Sequence, residues 1–91
     1  MPQDATRQST YSEILACPVF REGYEEIWRA EATAIDVRWS DEEQLSYERG
    51  RQFGLYVRTS ESQRVPLQKG AMPHPRAVVL LMMAFRGGDV L

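Results

Sequence analysis

Residues that commonly carry chemistry are scarce in this chain of 91 amino acids, which contains one cysteine, Cys17, and one histidine, His74. A single cysteine excludes an internal disulfide, and the two residues together are too few ligands for a Cys/His zinc site. The G-x-S-x-G, P-loop, G-x-G-x-x-G and H-E-x-x-H patterns are also missing. We therefore predict no catalytic residue, no metal, no cofactor and no enzymatic activity. A Cys17–His74 dyad is the alternative, because such partners need to be adjacent only in space.

Asparagine is absent, and lysine occurs once against ten arginines. This bias is typical of GC-rich coding and indicates a bacterium, or a phage or plasmid carried by one. The longest apolar run, Ala77 to Phe85, has nine residues and is too short to cross the ~30 Å core of a bilayer as a helix. We therefore expect a globular protein in the cytoplasm of a bacterial host cell, with no membrane partner.

Charge is distributed unevenly along the chain, although the net charge is only −2. Residues 1–47 contain ten acids and four bases, a balance of −6, and residues 48–76 contain six bases and two acids, a balance of +4. Such asymmetry predicts either that the two halves pair, within the fold or between subunits, or that one of them faces a partner. The acidic candidates for partner binding are Glu22, Glu25, Glu26, Asp41, Glu42 and Glu43. The basic candidates are Arg49, Arg51, Arg58, Arg64, Lys69 and Arg76.

Apolar spacing and capping signals predict an all-α fold, a small bundle of three to four helices. Thr10 with Glu13 and Ser40 with Glu43 have the spacing of capping boxes. The helices are expected at about residues 10–17, 19–34, 41–58 and 75–86. They belong to a single helical domain over residues 10–91, with a long loop at 59–74 and a mobile N-terminus at 1–9.

Gly50 and Gly54 fall one turn apart within the third predicted helix. Glycine in a helix interior costs about 1 kcal/mol relative to alanine, so the pair predicts a place where another backbone comes close. We expect the helix over Ala77 to Phe85 to be that neighbour. Close approach of a ligand is the alternative.

The run from Ala77 to Phe85 favours a helix, because Pro75 suits a first helical turn and Gly87-Gly88 suits a left-handed cap. A buried strand remains the alternative, since periodicity cannot decide when every position is apolar.

A helix that is apolar all round must be covered all round, which a chain of this size rarely achieves alone. We therefore expect the last helix to be largely buried or to lie at a subunit interface, and we favour a homodimer among the oligomers. The interface candidates are Val78, Val79, Leu81, Met82 and Phe85. A single core helix covered by the 59–74 loop is the other interpretation.

A resemblance to known proteins covers residues 45–88. It is carried by Tyr47-Glu48-Arg49-Gly50-Arg51-Gln52-Phe53-Gly54, a proline-containing loop, and then Ala84-Phe85-Arg86-Gly87-Gly88. This stretch resembles small phage and prophage accessory proteins that carry a Tyr-x-Arg-Gly-Arg-x-Phe helix and, more distantly, ribosome modulation factor. The first resemblance implies a small host-directed binding protein of the anti-CRISPR or another anti-defence kind. The second implies contact with the ribosome.

Two hypotheses for function follow from these observations. The first is a non-enzymatic interaction protein that binds a protein target, whose identity is unknown, through charged surfaces. Its acidic residues would compete for a basic nucleic-acid-binding surface by imitating phosphate charge. The alternative is a nucleic-acid- or ribosome-binding accessory protein that uses the basic region 49–76, in which case affinity falls steeply with salt.

Overall fold

The computed structural model describes residues 10–61 and 63–85, which form four helices and one small antiparallel sheet. The helices are α1 (Tyr11–Ala16), α2 (Pro18–Trp28), α3 (Asp41–Ser60) and α4 (Pro75–Ala84), and the strands are β1 (Gln68–Lys69) and β2 (Met72–Pro73). The mainly helical prediction is confirmed, but the sheet lies within the predicted 59–74 loop, so "all-α" holds only roughly. The mobile N-terminus predicted at residues 1–9, and Arg86 at the predicted end of the last helix, lie outside the described residues.

Both predicted capping boxes are present and start helices α1 and α3. The Thr10 amide donates to Glu13 Oε1 at 2.9 Å, and the Ser40 amide donates to Glu43 Oε1 at 2.8 Å. The amides of both glutamates donate back to the capping hydroxyls, each at 3.1 Å. These bonds satisfy donors that the first turn of a helix leaves unpaired, which is why both helices begin where the sequence indicates.

Helix α2 ends at Trp28, well before the predicted boundary at residue 34. Ala30 adopts a left-handed backbone with φ of 58°. Its amide donates to the Ile27 carbonyl at 3.1 Å, and the Glu31 amide donates to the Glu26 carbonyl at 2.9 Å. These are the two bonds of a Schellman motif, in which glycine is the usual left-handed residue. Alanine in that position removes the signal by which the sequence would show the end of the helix.

Helices α2 and α3 pack closely at glycines on both of them. A Cβ atom on Gly50 would lie 1.9 Å from the Phe20 carbonyl oxygen, and one on Gly23 would lie 2.2 Å from the Tyr47 carbonyl oxygen. Real Cβ atoms do not approach other heavy atoms so closely, so only glycine fits at either position. The two backbones therefore lie nearer to each other than larger side chains would allow.

The close approach predicted at Gly50 and Gly54 is confirmed, but the predicted neighbour is wrong. Helix α2, and not the helix over Ala77 to Phe85, meets both glycines; a Cβ atom on Gly54 would lie 2.8 Å from the Ile27 Cβ. A glycine in a helix indicates that something comes close without indicating what. The additional glycine at Gly23, in the second helix, was the signal that the two helices share one contact.

Aromatic side chains fill the space beside this contact. Phe53 lies 5.8 Å from Phe20 and 5.5 Å from Tyr24, measured between ring centroids, and all three rings are buried. The Tyr24 hydroxyl donates to the Val65 carbonyl, so the core also anchors the chain that follows α3. Burial raises the pKa of Tyr24 above its usual value of 10.0, and the hydroxyl stays a donor.

The connection between α3 and α4 is held to the core by the buried side chains of Val65 and Leu67. Strands β1 and β2 pair next to them, with Gly70 in the turn at φ of 65°. The His74 amide then donates to the Leu67 carbonyl at 3.0 Å. Strands of two residues are too short to show alternation in a sequence, which explains why this region is predicted only as a loop.

We expect Gly50→Ala to destabilise the protein by about 2 kcal/mol or more. The added methyl group would overlap the Phe20 backbone, which cannot move aside as a side chain can, so the cost lies at or above the upper end of the about 1–3 kcal/mol that is typical of overpacking. The gain of about 1 kcal/mol in helix propensity offsets only part of this cost. Urea unfolding followed by circular dichroism measures the change. Gln52→Ala, at an exposed position of the same helix, is the control and should stay within about 0.5 kcal/mol of wild type. A Gly50→Ala protein as stable as wild type would contradict the contact.

Candidate functional site

Glu26, Tyr47 and Arg51 form a buried polar cluster between α2 and α3. Glu26 is 3% exposed, and its Oε1 accepts hydrogen bonds from Arg51 Nη1 at 2.7 Å and from the Tyr47 hydroxyl. Burial raises the pKa of Tyr47 above its usual value of 10.0, and the hydrogen bond to Glu26 raises it further. A buried carboxylate needs such partners to offset its lost hydration. Glu26 and Arg51 are both predicted to face a partner, but the structure places them in this internal cluster, so we remove them from the partner-binding candidates.

Three more of the predicted basic residues also bind acceptors inside the protein. Arg58 Nη1 donates at 3.0 Å to a carbonyl in the last turn of α2, where a cation complements the helix dipole. Arg64 Nε lies 3.2 Å from Glu25 Oε1, and Arg76 Nη2 lies 2.5 Å from Glu61 Oε2. Together with Arg51, four of the six basic candidates are therefore engaged within the protein, three by carboxylates and Arg58 by a carbonyl.

Two of the ion pairs join the acidic first half to the basic second half, namely Glu25–Arg64 and Glu26–Arg51. Pairing of the two halves within the fold, one of the two interpretations of the charge asymmetry, is thus confirmed for these residues. Of the six basic candidates, Arg49 and Lys69 alone have side chains without a hydrogen bond or ion pair to any residue that the structure describes. Too few cations remain for a broad basic surface.

Acidic residues without a cation partner in the described parts of the chain lie along α3. Asp41 and Glu42 are exposed in its first turn, where the positive end of the helix dipole favours carboxylates. Glu43 caps the helix, and Glu48, which receives a weak hydrogen bond from Gln44 at 3.4 Å, is exposed two turns from Asp41. We call Asp41, Glu42, Glu43 and Glu48 the acidic patch.

Glu48 was missed among the sequence candidates because it belongs to the basic half of the chain. Its spacing of seven residues from Asp41 places both on one face of the helix and was a sufficient signal. The candidate Glu22, in contrast, lies on α2, where its Oε2 is 3.4 Å from Arg29 Nη2. Both of these side chains are about half exposed. The structure therefore separates Glu22, Glu25 and Glu26 from the acidic patch.

Helix α4 buries one face and exposes the other. Leu81 is fully buried in the protein's own core with Ala77 and Leu80, so this interface candidate is not accessible to a second chain. Val78 and Phe85 are partly buried against the same core. The opposite face is formed by residues at helical spacing, Val79 (43% exposed), Met82 (47%) and Met83 (50%). We call these three the apolar strip; Met83 is the member that the sequence candidates omit.

An open cleft of about 290 Å³ lies between the junction of α1 with α2 and the first half of α3. Ile14, Cys17, Phe20 and Arg49 are among its lining residues, and His74 is not. The His74 Nδ1 instead accepts the Arg76 amide at 3.1 Å and caps α4. The cleft therefore does not contain a Cys17–His74 dyad. Within residues 10–61 and 63–85, no group of three or more His, Cys, Asp or Glu side chains is placed to hold a metal ion.

Tyr47 also fixes the loop that precedes α3. Its hydroxyl accepts the Ala34 amide at 2.8 Å, and its ring lies 5.0 Å from the Trp39 ring, measured between centroids. The buried cluster thus holds both ends of residues 34–39. The predicted helices at 19–34 and 41–58 leave residues 35–40 as a connection, but the sequence does not indicate how it is held, because that depends on contacts between residues that are distant along the chain.

Within the loop, Asp36 accepts hydrogen bonds from the Arg38 amide at 2.9 Å and from Arg38 Nη2 at 2.8 Å. Val37, between them, is 94% exposed. The hydrogen bonds from the Arg38 side chain and amide lower the pKa of Asp36 from 3.8 to about 2. The hydrogen bonds between Asp36 and Arg38 therefore fix the turn that holds the apolar side chain of Val37 at the surface.

An NMR pH titration of the Asp36 carboxyl group should give a midpoint near 2. Because this pKa is lowered in the fold, the contribution of the turn is complete above pH 3.8 and is lost as the pH falls towards 2. Arg38→Gln should move the midpoint back towards 3.8, whereas Arg21→Gln, on α2, should leave it unchanged. A wild-type midpoint near 3.8 would show that the turn is not formed.

Comparison of the chain with models of protein families, with curated proteins and with solved structures gave no match. The resemblance of residues 45–88 to phage accessory proteins and to ribosome modulation factor therefore stays a prediction. None of the helices in the described part of the chain is long and apolar enough to span a bilayer.

Proposed function

We propose that this chain is a non-enzymatic protein-binding module whose acidic patch contacts a basic surface on a protein target. The observation that supports the proposal is that the basic candidates are mostly engaged within the fold, while the acidic residues at the start of α3 are not. Most of the basic candidates bind acceptors within the protein, whereas the carboxylates at the start of α3 have no cation partner among the described residues. Unneutralised carboxylates on a rigid helix attract a complementary positive surface and orient it.

The geometry of the patch suits imitation of phosphate charge. Asp41 and Glu48 lie on one face of α3, seven residues and therefore roughly 10 Å apart along the helix axis. The capping box fixes the backbone of the first turn, so only the carboxylate side chains need to be ordered when a partner binds. A basic surface that normally binds nucleic acid is the kind of target that fits such a row of negative charges.

Direct binding of nucleic acid is less well supported by the same contacts. Affinity for a nucleic acid grows with the number of phosphates that cations neutralise, and Arg49 and Lys69 alone remain unpaired among the six basic candidates. Arg49 also lines the same cleft as Glu42, so the electrostatic potential around Arg49 is not purely positive.

We place the protein, as part of this proposal, among small bacterial or phage-encoded inhibitors that act on a host nucleic-acid-binding protein. An anti-defence role, of the anti-CRISPR kind, is the specific form that the resemblance of the α3 motif implies. Inhibition by occupation of a basic surface requires neither a cofactor nor a catalytic residue.

Neutralising the acidic patch should weaken target binding at least tenfold, a loss of about 1.4 kcal/mol. The experiment captures the target from a nuclease-treated bacterial lysate, identifies it by mass spectrometry and measures its affinity by calorimetry. The variant is Asp41→Asn with Glu48→Gln, which neutralises the two carboxylates that share one face of α3 and leaves the Glu43 cap intact. The control, Glu22→Gln with Glu31→Gln, removes the same charge from the exposed contacts with Arg29 and should change affinity less than about threefold.

Competition distinguishes the two functions. DNA or RNA should displace the chain from its target, since both would occupy one basic surface. Equal affinity of the patch variant and the wild type would contradict the proposal. Binding of nucleic acid to the chain itself, with affinity that falls steeply as salt rises, would support the basic alternative instead.

A further inference from the structure

The cleft of about 290 Å³ carries charges of both signs on the wall that α3 provides. This wall consists of Glu42, Leu45, Ser46 and Arg49. Their spacing of three, four and seven residues places them on one face of the helix. Glu42 and Arg49 are therefore roughly 10 Å apart along the helix axis, so a ligand in the cleft meets a carboxylate at one end and a guanidinium at the other.

Arg49 indicates that the ligand carries a negative group. Its side chain is half-buried and makes no hydrogen bond or ion pair with any residue that the structure describes. Four of the other basic candidates are engaged within the protein, and Lys69, the fifth, is exposed to water. A cation that loses part of its hydration without gaining an acceptor is destabilised. A carboxylate in the cleft would supply that acceptor in a charge-assisted hydrogen bond.

The acidic residues of the lining decide which negative group fits. Glu13 and Glu42 both line the cleft. Glu13 Oε1 accepts the Thr10 amide of the capping box, whereas Glu42 has no cation partner among the described residues. A phosphate or another multiply charged anion beside Arg49 would be repelled by the two carboxylates. An ammonium group on the same ligand would instead be attracted to Glu42.

The facing wall of the cleft is apolar, because the buried residues Ile14 and Phe20 line it from α1 and α2. Ligand sites commonly combine apolar walls with a few polar groups that fix the orientation of the ligand. We propose that the cleft binds a small zwitterion with an apolar side chain. The carboxylate pairs with Arg49 and the ammonium pairs with Glu42, while the side chain packs against the facing wall. This inference does not rest on the proposed function of the acidic patch.

The size of the cleft restricts the ligand further. Sites for drug-sized ligands have volumes of about 300–1,000 Å³, so a cleft of about 290 Å³ suits a smaller molecule. A free apolar amino acid and an apolar dipeptide with free ends share the required chemistry. The two charges of an extended dipeptide are up to about 7 Å apart, which matches the charges on α3 once their side chains bend towards the ligand.

NMR titration of the ¹⁵N-labelled protein with L-leucine and with L-leucyl-L-leucine tests the site. Either ligand should shift the amide signals of Cys17, Phe20 and Ser46 until they saturate. Arg49→Gln should weaken binding at least about tenfold, because it removes a charge-assisted hydrogen bond. Lys69→Gln removes the same charge from an exposed position on β1 and should leave binding unchanged.

Three analogues each lack one of the groups that the proposal requires. They are 4-methylpentanoate without the ammonium, isopentylamine without the carboxylate, and diglycine without the apolar side chains. Each should bind at least about fivefold more weakly than the complete ligand, since a partner in the cleft is then left without its contact. The tighter of the two complete ligands identifies the source as a free amino acid or as a peptide.

Cys17 provides a second measurement on the unaltered protein, which keeps the test decisive if Arg49→Gln disturbs folding. It is the one cysteine of the chain and lines the cleft, so alkylation by N-ethylmaleimide is read directly as a gain in mass. The complete ligand at saturation should slow this alkylation at least about threefold by covering the thiol. Diglycine at the same concentration should leave the rate unchanged.

Three results would overturn the proposed site. One is the absence of both shifts and Cys17 protection at ligand concentrations up to about 50 mM. Another is an analogue without the ammonium or the carboxylate that binds as tightly as the complete ligand. The last is a folded Arg49→Gln protein with wild-type affinity. The patch variant Asp41→Asn with Glu48→Gln retains Glu42 and should bind the zwitterion normally, so the site and the function of the acidic patch can fail independently.

Discussion

The close contact of helices α2 and α3 at Gly23 and Gly50 determines where the proposed functional surface lies. Because no side chain separates the helices there, α2 brings Glu26 beside Tyr47 and Arg51, and these residues bury their polar atoms in one cluster. The same approach stacks the aromatic core that anchors the connection to α4. A looser contact would leave a buried carboxylate without its partners, at a cost of several kcal/mol.

This contact also explains the charge of the surface. The acidic half and the basic half of the sequence meet across α2 and α3, and the pairs Glu25–Arg64 and Glu26–Arg51 neutralise each other there. The start of α3 remains exposed, and its carboxylates interact favourably with the positive end of the helix dipole. The pairing thus leaves a local negative surface on a chain whose net charge is only −2, and the proposed binding function depends on that surface.

Helix starts were predictable because capping boxes and prolines act locally, and the boxes at Thr10 and Ser40 formed as expected. The end of α2 was not, since Ala30 holds a left-handed conformation that glycine normally signals. The glycines of α3 indicated a close contact but not its partner, which depends on how the chain returns on itself. For the same reason the sequence could suggest charged candidates but could not show that Glu26 is buried. The proposed functional surface is the charge left over after internal pairing, and pairing is decided by the tertiary fold.

Native-state hydrogen exchange of backbone amides tests most directly whether the α2–α3 contact holds the structure together. If it does, the amides of Tyr24 and Phe53 should exchange through a single opening whose free energy equals that of global unfolding, while amides at the ends of α4 exchange more easily. Exchange of the α2 amides through a lower-energy opening, with α3 still protected, would show that the two helices do not form one cooperative unit and would contradict this account.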